Sequence, residues 1–542
     1  MRTALAFRVV AALAIAPVAV AVAAVLLAQE PSYDLVIRNG RIVDGTGNPW
    51  YQSDVAVRGA VIARIARHIE APAGRTIDAG GAVVAPGFID LHTHAIDSIL
   101  EVPTADNYVR QGVTTLISGP DGRSPVPLRP VLDRIAATPI VPDFGMFVGQ
   151  GSVREAVVGL NNRPGSSAEL DEMRDVVRQA MADGAFGLST GLFYVPGTFT
   201  PTAEIVELAR VAGSLGGIHI SHMRDEASRV LESVRETIEI GAKGALPTQI
   251  THHKVIGQAN WGRSVETLRL VDEARARGVD ATIDVYPYTA SSTNVASALL
   301  PAWALEGGVE PTLGRLRDAA TRARIKTEAV RLLRDERGGG DPQNVQLARC
   351  DWDMSLAGRR LGDLTRERGL TPSLENAAET VLWIVERGNC SAVFHAIDEQ
   401  DLQRILRHPA SMIASDGDIQ MVGRGSPHPR SYGTFVRVLA RYVRDLHVLA
   451  LEDAVLKMSG FPAQRVGLTD RGVLREGLKA DLVVFDPERV RDQATFERPH
   501  QYPEGVSYVL VSGQVVVDRS QLTSARPGRV LFGAGRRRTP AN

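Results

Sequence analysis

Two periodicities alternate along most of this chain. Between residues 85 and 464, short apolar runs of strand length are separated by stretches whose apolar positions recur every three or four residues. The first run ends at Asp90, and the others occupy 112–118, 143–148, 184–189, 217–221, 247–251, 280–284 and 411–415. Helical patterns stand between them, as at 170–182, 202–215, 227–241 and 264–278. Strand, helix, strand with short turns predicts an α/β fold with a mainly parallel sheet. Eight such strands suit a closed, TIM-like (β/α)8 barrel. Residues 391–395 are a ninth candidate, which keeps an open doubly wound sheet as the alternative.

The two ends of the chain read differently. Short strands and glycine turns fill 33–84, with Asn39-Gly40 and Asp44-Gly45 as turn signals, and the same character returns at 479–486 and 506–517. Neither end is long enough for a large core. Residues 31–84 and 465–530 are therefore expected to form one composite β-sandwich beside a barrel at 85–464. The stretch from 291 to 390 is too long for a simple connection and is expected as an insertion covering part of the barrel mouth. Residues 531–542, with Arg536-Arg537-Arg538, read as a basic tail.

Composition narrows the class. The chain has 542 residues, 44% hydrophobic and 23% charged, with a formal net charge of -1. That balance gives no reason to expect a nucleic-acid partner. Cys350 and Cys390 are the only cysteines, so no disulfide framework holds the fold, although one bridge is open to an exported protein. Arg2 and Arg8 precede an apolar run from 9 to 28, which reads as a signal peptide at 1–28, with an N-terminal anchor as the alternative. The expected location is periplasmic or secreted, without stable membrane association once the leader is removed.

The chemistry is sought at the C-terminal ends of the strands, where barrels of this kind assemble their sites. His92 and His94 close the first run, and period two points them the same way. Asp121, His222, His252 and Asp416 follow other runs at nearly the same offset. Imidazole and carboxylate groups without sulfur favour one or two Zn2+ ions, with manganese, iron or cobalt as alternatives. His252 is preferred over His253 because it shares the Ser/Thr-His ending with His222. Asp97 and Asp284 read as structural acceptors or helix caps. There is no Gly-x-Ser-x-Gly elbow, and no cysteine falls among the mouth residues, which argues against a covalent serine or cysteine hydrolase.

Several longer segments carry a resemblance: 86–94, 111–115, 184–196, Ser221-His-Met-Arg-Asp-Glu226, Thr251-His-His-Lys254, Asp284-Val-Tyr-Pro-Tyr288, Ala414-Ser-Asp-Gly417, 428–435, 479–482 and 499–503. In these the chain resembles the amidohydrolase superfamily and, within it, the D-aminoacylase or N-acyl-D-amino-acid deacylase branch. The resemblance implies a metal-bearing barrel with a β-sandwich built from both termini. It also implies His92, His94 and Asp416 around one metal position, His222 and His252 around the other, and Asp416 as catalytic acid and base. One departure stands out: the branch usually has a metal-binding cysteine after the second strand, where this chain has Gly119-Pro120-Asp121-Gly122, so Asp121 is the positional match.

The implied reaction is hydrolysis of the amide of an N-acyl, D-configured amino acid. Tyr194, Lys254 and Arg430 are expected to meet the leaving amino acid's carboxylate, because arginine offers a two-donor fork and lysine a point charge. Tyr288 is a further substrate-facing candidate without an assigned role. Arg224 and His395 are expected to support the site from behind. A metallo-dipeptidase or a hydrolase of cyclic amides, ureides or lactones is the neighbouring reading, and a metal-binding protein without turnover is the distant one. The partner is thus a small N-acyl amino acid or short peptide, with oligomeric state open.

Overall fold

The computed structural model describes residues 32–536. The proposed leader at 1–28 and Arg537-Arg538 lie outside the described residues.

The central fold is α/β with parallel strands. In chain order these are β1 (Phe88–Thr93), β2 (Val113–Ser118), β3 (Asp143–Met146), β4 (Gly187–Gly191), β5 (Ile218–His222), β6 (Thr248–Ile250), β7 (Ala281–Val285) and β8 (Ser411–Ile413). All pairings within β1-β2-β3 and within β4-β5-β6-β7-β8 are parallel. The two groups meet where β3 continues past Phe147 into Val148–Gly149, which pairs with β4. At the other edge Asp416 N donates to His92 O (2.9 Å) and His94 N to Gly417 O (2.7 Å).

The strands are buried on both faces, as parallel strands covered by helices must be. The helices are set by local signals as well as by periodicity. Ser167–Asp183 begins with a reciprocal capping box between Ser166 and Glu169 and ends at Gly184, whose φ of 116° belongs to a left-handed cap. Among the described residues, no helix is long and apolar enough to cross a membrane.

Strands from both chain ends share one nine-stranded sheet. Leu482–Phe485 runs antiparallel to Val83–Pro86, which also pairs with Tyr33–Ile42. Buried Arg471 ties this region to β3, lying against both Asp143 and Asp481. Residues after the sheet do not hang free: Leu531 N bonds Phe144 O (2.7 Å) and Gly533 N bonds Gly184 O (2.9 Å).

The ninth candidate strand, Ser391–Phe394, belongs to neither parallel group. It is the middle of an antiparallel three-stranded sheet with Ser291–Asn294 and Val345–Arg349. These strands and the helices Ala319–Asp335 and Leu374–Glu386 have their own apolar cluster, stapled by a Cys350–Cys390 disulfide.

Candidate metal centre and active site

Three residues at the strand ends hold left-handed backbone: Asp121 (φ 55°), His252 (φ 35°) and Asp416 (φ 51°). None is glycine, and such conformations cost on the order of 1–3 kcal/mol each unless the surroundings fix them. Here the surroundings do so. Gly119, at φ 80°, lies where an added Cβ would fall 2.6 Å from Phe147 O, and Gly122 packs equally closely against Gly191 N (2.8 Å). Asp284 fixes the next turn by accepting from His252 N (2.6 Å), and Asp90 accepts from both His92 N and Ser415 N (3.1 Å each). Asp284 thus has the structural role expected from sequence. Asp97 occupies the N-cap of a short helix without a side-chain bond.

The turns bring six side chains together. Nε2 of His92 lies 3.4 Å from both Asp121 Oδ1 and Asp416 Oδ1. Nε2 of His94 is 2.9 Å from Asp416 Oδ1 and 3.7 Å from Asp121 Oδ2. On the other side, His222 Nδ1 and His252 Nε2 each lie 3.5 Å from an Asp121 oxygen. Two groups result: His92, His94, Asp121 and Asp416, then Asp121, His222 and His252, with candidate ligand atoms in each group within 4.8 Å of one another. Asp121 belongs to both, its paired oxygens letting one side chain face two positions.

This donor set fits a metal. His92 Nε2 and Asp121 Oδ1 are buried without a hydrogen-bond partner, an arrangement that costs roughly 1–3 kcal/mol per group unless a cation satisfies it. Electrostatics agree. Burial opposes ionisation of Asp121, but His92, His222 and His252 overcome it and hold the carboxyl well below its usual range. Asp416 is also buried, and Arg430, then His252 and His92, hold it well below that range. Burial, with His252 adding to it, brings His222 down to about 4 against the opposing pull of Glu226 and Asp121, leaving a neutral ring of the kind that ligates metals.

A charged layer lies behind the cluster. Glu226, fully buried, accepts from Lys254 Nζ (2.5 Å) and Arg337 Nη2 (3.0 Å), while Lys254 Nζ also lies 2.7 Å from His252 Nδ1. Arg430 Nη1 donates to Asp416 Oδ2 (2.6 Å), leaving Oδ1 toward His92 and His94. In front opens a cavity of about 490 Å3 lined by His94, Asp121, Tyr194, His222, His252 and Asp416 and walled by the insertion strands and the loop after Asp416.

The supporting and substrate-facing candidates divide. Tyr194 lines the cavity with its hydroxyl 3.1 Å from Thr293 Oγ1. Arg430 and Lys254 line it too, but their charges already rest on Asp416 and Glu226. Arg224 is a brace, binding Glu236 with two nitrogens and the carbonyls of Thr198 and Thr200. One expectation is corrected. Tyr288 does not line the cavity: it is buried beneath Arg437, its hydroxyl directed to Pro429 O (3.4 Å). His395, expected behind the site, is off the cavity wall and packs 4.6 Å from the Phe496 ring. Sequence reasoning missed Glu226 and Arg337. Glu226 carried a signal, lying four residues after His222; Arg337 carried none.

Comparison with known proteins agrees with this geometry. An amidohydrolase family model matches residues 75–517. D-Aminoacylase of Alcaligenes xylosoxydans xylosoxydans is 36% identical over 527 residues, covering 92% of this chain and 97% of that protein. N-acyl-D-glutamate deacylase of the same organism is 36% identical over 520 residues, covering 92% and 96%. Among solved structures, N-acyl-D-glutamate deacylase from Bordetella bronchiseptica, complexed with zinc and a phosphonate inhibitor, superposes with a TM-score of 0.79 at 32% identity over 93% of this chain and 100% of that one. The likeness runs nearly end to end, and the chain belongs to the amidohydrolase superfamily, in its D-aminoacylase and N-acyl-D-amino-acid deacylase branch.

Proposed function

We propose that this protein is a metal-dependent hydrolase that cleaves the amide bond of N-acyl amino acids, with preference for the D configuration, releasing a carboxylate and a free amino acid. The observation that carries the reading is the convergence of two groups on Asp121, His92, His94 and Asp416 on one side and His222 and His252 on the other, with one oxygen of Asp416 held by Arg430. The D preference is drawn from the relatives, D-aminoacylase and the N-acyl-D-glutamate and N-acyl-D-aspartate deacylases. We also take the hydrogen bonds from Asp416 to His92 and from His94 to Gly417 as the closure of an eight-stranded barrel. The strands of both termini form its composite β domain, and the bridged cysteines support export through the 1–28 leader.

His92, His94 and Asp416 would hold one ion and His222 and His252 the other, with Asp121 between them. When bound, the metal supplies Lewis acidity to water and to the scissile carbonyl. Asp416 does the proton work. It stays ionised because Arg430 and the neighbouring imidazoles outweigh its burial, so it receives the attacking water's proton, at Oδ2, and passes it to the leaving nitrogen. Arg430 positions that oxygen. Lys254 and Glu226 orient His252 from behind. Tyr194, with its hydroxyl at the cavity wall, offers a hydrogen bond to the substrate's carboxylate, and Arg430 and Lys254 add positive charge on the same side.

The test is metal content per chain together with hydrolysis of N-acetyl and longer N-acyl D- and L-amino acids, dipeptides and hydantoins. Each is measured before and after chelation and zinc re-addition. Zinc-restored turnover of N-acyl D-amino acids is expected. Activity confined to ring substrates or to dipeptides would overturn the assignment.

A further inference from the structure

The insertion's sheet contributes a wall to the cavity, and its register is informative. Asn294 lies opposite Ser391, and Ser391 opposite Arg349, so one residue from each strand forms a single cross-strand row. All three line the cavity. With neighbouring strands about 4.8 Å apart, the row sets an amide, a hydroxyl and a guanidinium side by side over roughly 10 Å.

The row is fixed in place. Cys350 follows Arg349, Cys390 precedes Ser391, and the two cysteines are bridged. Ser426 N, on the loop after Asp416, donates to Ala348 O (2.7 Å), tying the row's edge to the catalytic strand's own loop. Arg349 gives Nε to exposed Asp351 (2.5 Å), and its terminal nitrogens make no hydrogen bond among the described residues. The cavity's buried acids are engaged elsewhere: Asp416 by Arg430, Glu226 by Lys254 and Arg337, Asp418 by Ser98 (2.5 Å) and Asp121 by the histidine cluster, while exposed Glu101 faces Arg424 at 3.9 Å. Arg123, on the other lip, is exposed and has no such backing. The row is also at a useful distance. Arg430 Nη2 approaches Ser292 O (3.5 Å), and Asn294 stands one two-residue repeat, about 7 Å, further along the same strand.

We propose that Arg349, Ser391 and Asn294 form a subsite for a second carboxylate of the substrate, remote from the scissile amide. The proposal rests on the N-acyl amino acid reading above and narrows its substrate class to diacids. Two kinds of substrate carry that group: an acidic amino acid, or a dicarboxylic acyl chain on a neutral one. A planar guanidinium with both terminal nitrogens available suits a carboxylate better than it suits any apolar acyl end.

The experiment compares N-acetyl-D-glutamate, N-succinyl-D-leucine and N-acetyl-D-leucine with the zinc enzyme and its Arg349→Met and Arg349→Lys variants. The same compounds are titrated calorimetrically onto the chelated protein. One diacid is expected to exceed N-acetyl-D-leucine by about 10-fold or more in kcat/KM, chiefly through KM, and in affinity. Arg349→Met should collapse that ratio, Arg349→Lys should restore part of it, and the favoured diacid identifies the source of the carboxylate. A diacid-to-neutral ratio near one in the parent enzyme, or a ratio unchanged in Arg349→Met, overturns the subsite. If nothing is hydrolysed while the Arg349-dependent binding preference persists, the amide-hydrolysis reading falls and the subsite stands.

Discussion

Nε2 of His252 lies 2.8 Å from Nδ1 of His222, although the two residues come from different strands and present different ring nitrogens. Each is also 3.5 Å from Asp121. Such convergence is what two ligands of one ion require, and it makes Asp121 the hinge between the two halves of the cluster. Asp121→Asn keeps the shape and removes the charge, and should reduce metal affinity by about 10–100-fold. Equilibrium dialysis with zinc checks this; affinity equal to that of the parent protein would remove Asp121 from the site.

Asp416 is expected to matter for turnover more than for association. Asp416→Asn should lower kcat by about 10²–10⁴-fold while moving KM far less. Steady-state kinetics on an N-acyl D-amino acid read this directly. A purely positional role would appear instead as a rise in KM with kcat retained.

The ion-pair layer beneath the metal cluster is predicted to be structurally costly to break. Glu226→Gln leaves Lys254 and Arg337 as buried cations without their anion, a change worth about 3–5 kcal/mol. Denaturant unfolding should show a loss of that order. A loss below about 1 kcal/mol would mean that solvent already compensates these charges.

Acid stability carries a signature of the strand interior. His219 is buried between Thr190 Oγ1 (2.9 Å) and Thr248 Oγ1 (2.8 Å), and burial, with Arg465 nearby, brings its folded-state pKa down to about 3. The unfolded chain, with a histidine pKa of about 6.5, binds the proton that the folded one refuses. Between these values stability therefore falls as pH falls, by up to about 1.4 kcal/mol per pH unit from this residue. His219→Gln should flatten that dependence in thermal melts from pH 7 to 4. An unchanged slope would show that His219 is not held neutral.

The Cys350–Cys390 bridge closes a 40-residue separation in sequence, which corresponds to roughly 4 kcal/mol of chain-entropy stabilisation. Reduction, or Cys350→Ser, should make the insertion the first region to lose hydrogen-exchange protection. Uniform protection loss across the chain would contradict an insertion with its own core.

How much of this was legible depended on whether one strand sufficed. His92 and His94 could be placed from period two, and His222, His252, Asp121 and Asp416 from a shared offset after apolar runs, because parallel strands deliver their ends to one face. Tyr288 failed that logic: β7 stops at Val285, so Pro287 turns the chain and the ring goes under Arg437 instead of into the cavity. Lys254 was visible as a cation near the site, but not its engagement with Glu226. Arg337 reaches Glu226 across 111 residues of sequence, and no local pattern announces such a contact.

The central claim, that separate strands gather one hydrolytic metal centre beside Asp416, is tested most directly by anomalous diffraction at the zinc edge from crystals of the zinc-loaded protein. The account predicts a peak at about 2.0–2.2 Å from nitrogens of His92 and His94 and an oxygen of Asp416, or at the same range from His222, His252 and Asp121. Zinc bound only elsewhere, or no peak within reach of these six residues, would contradict it.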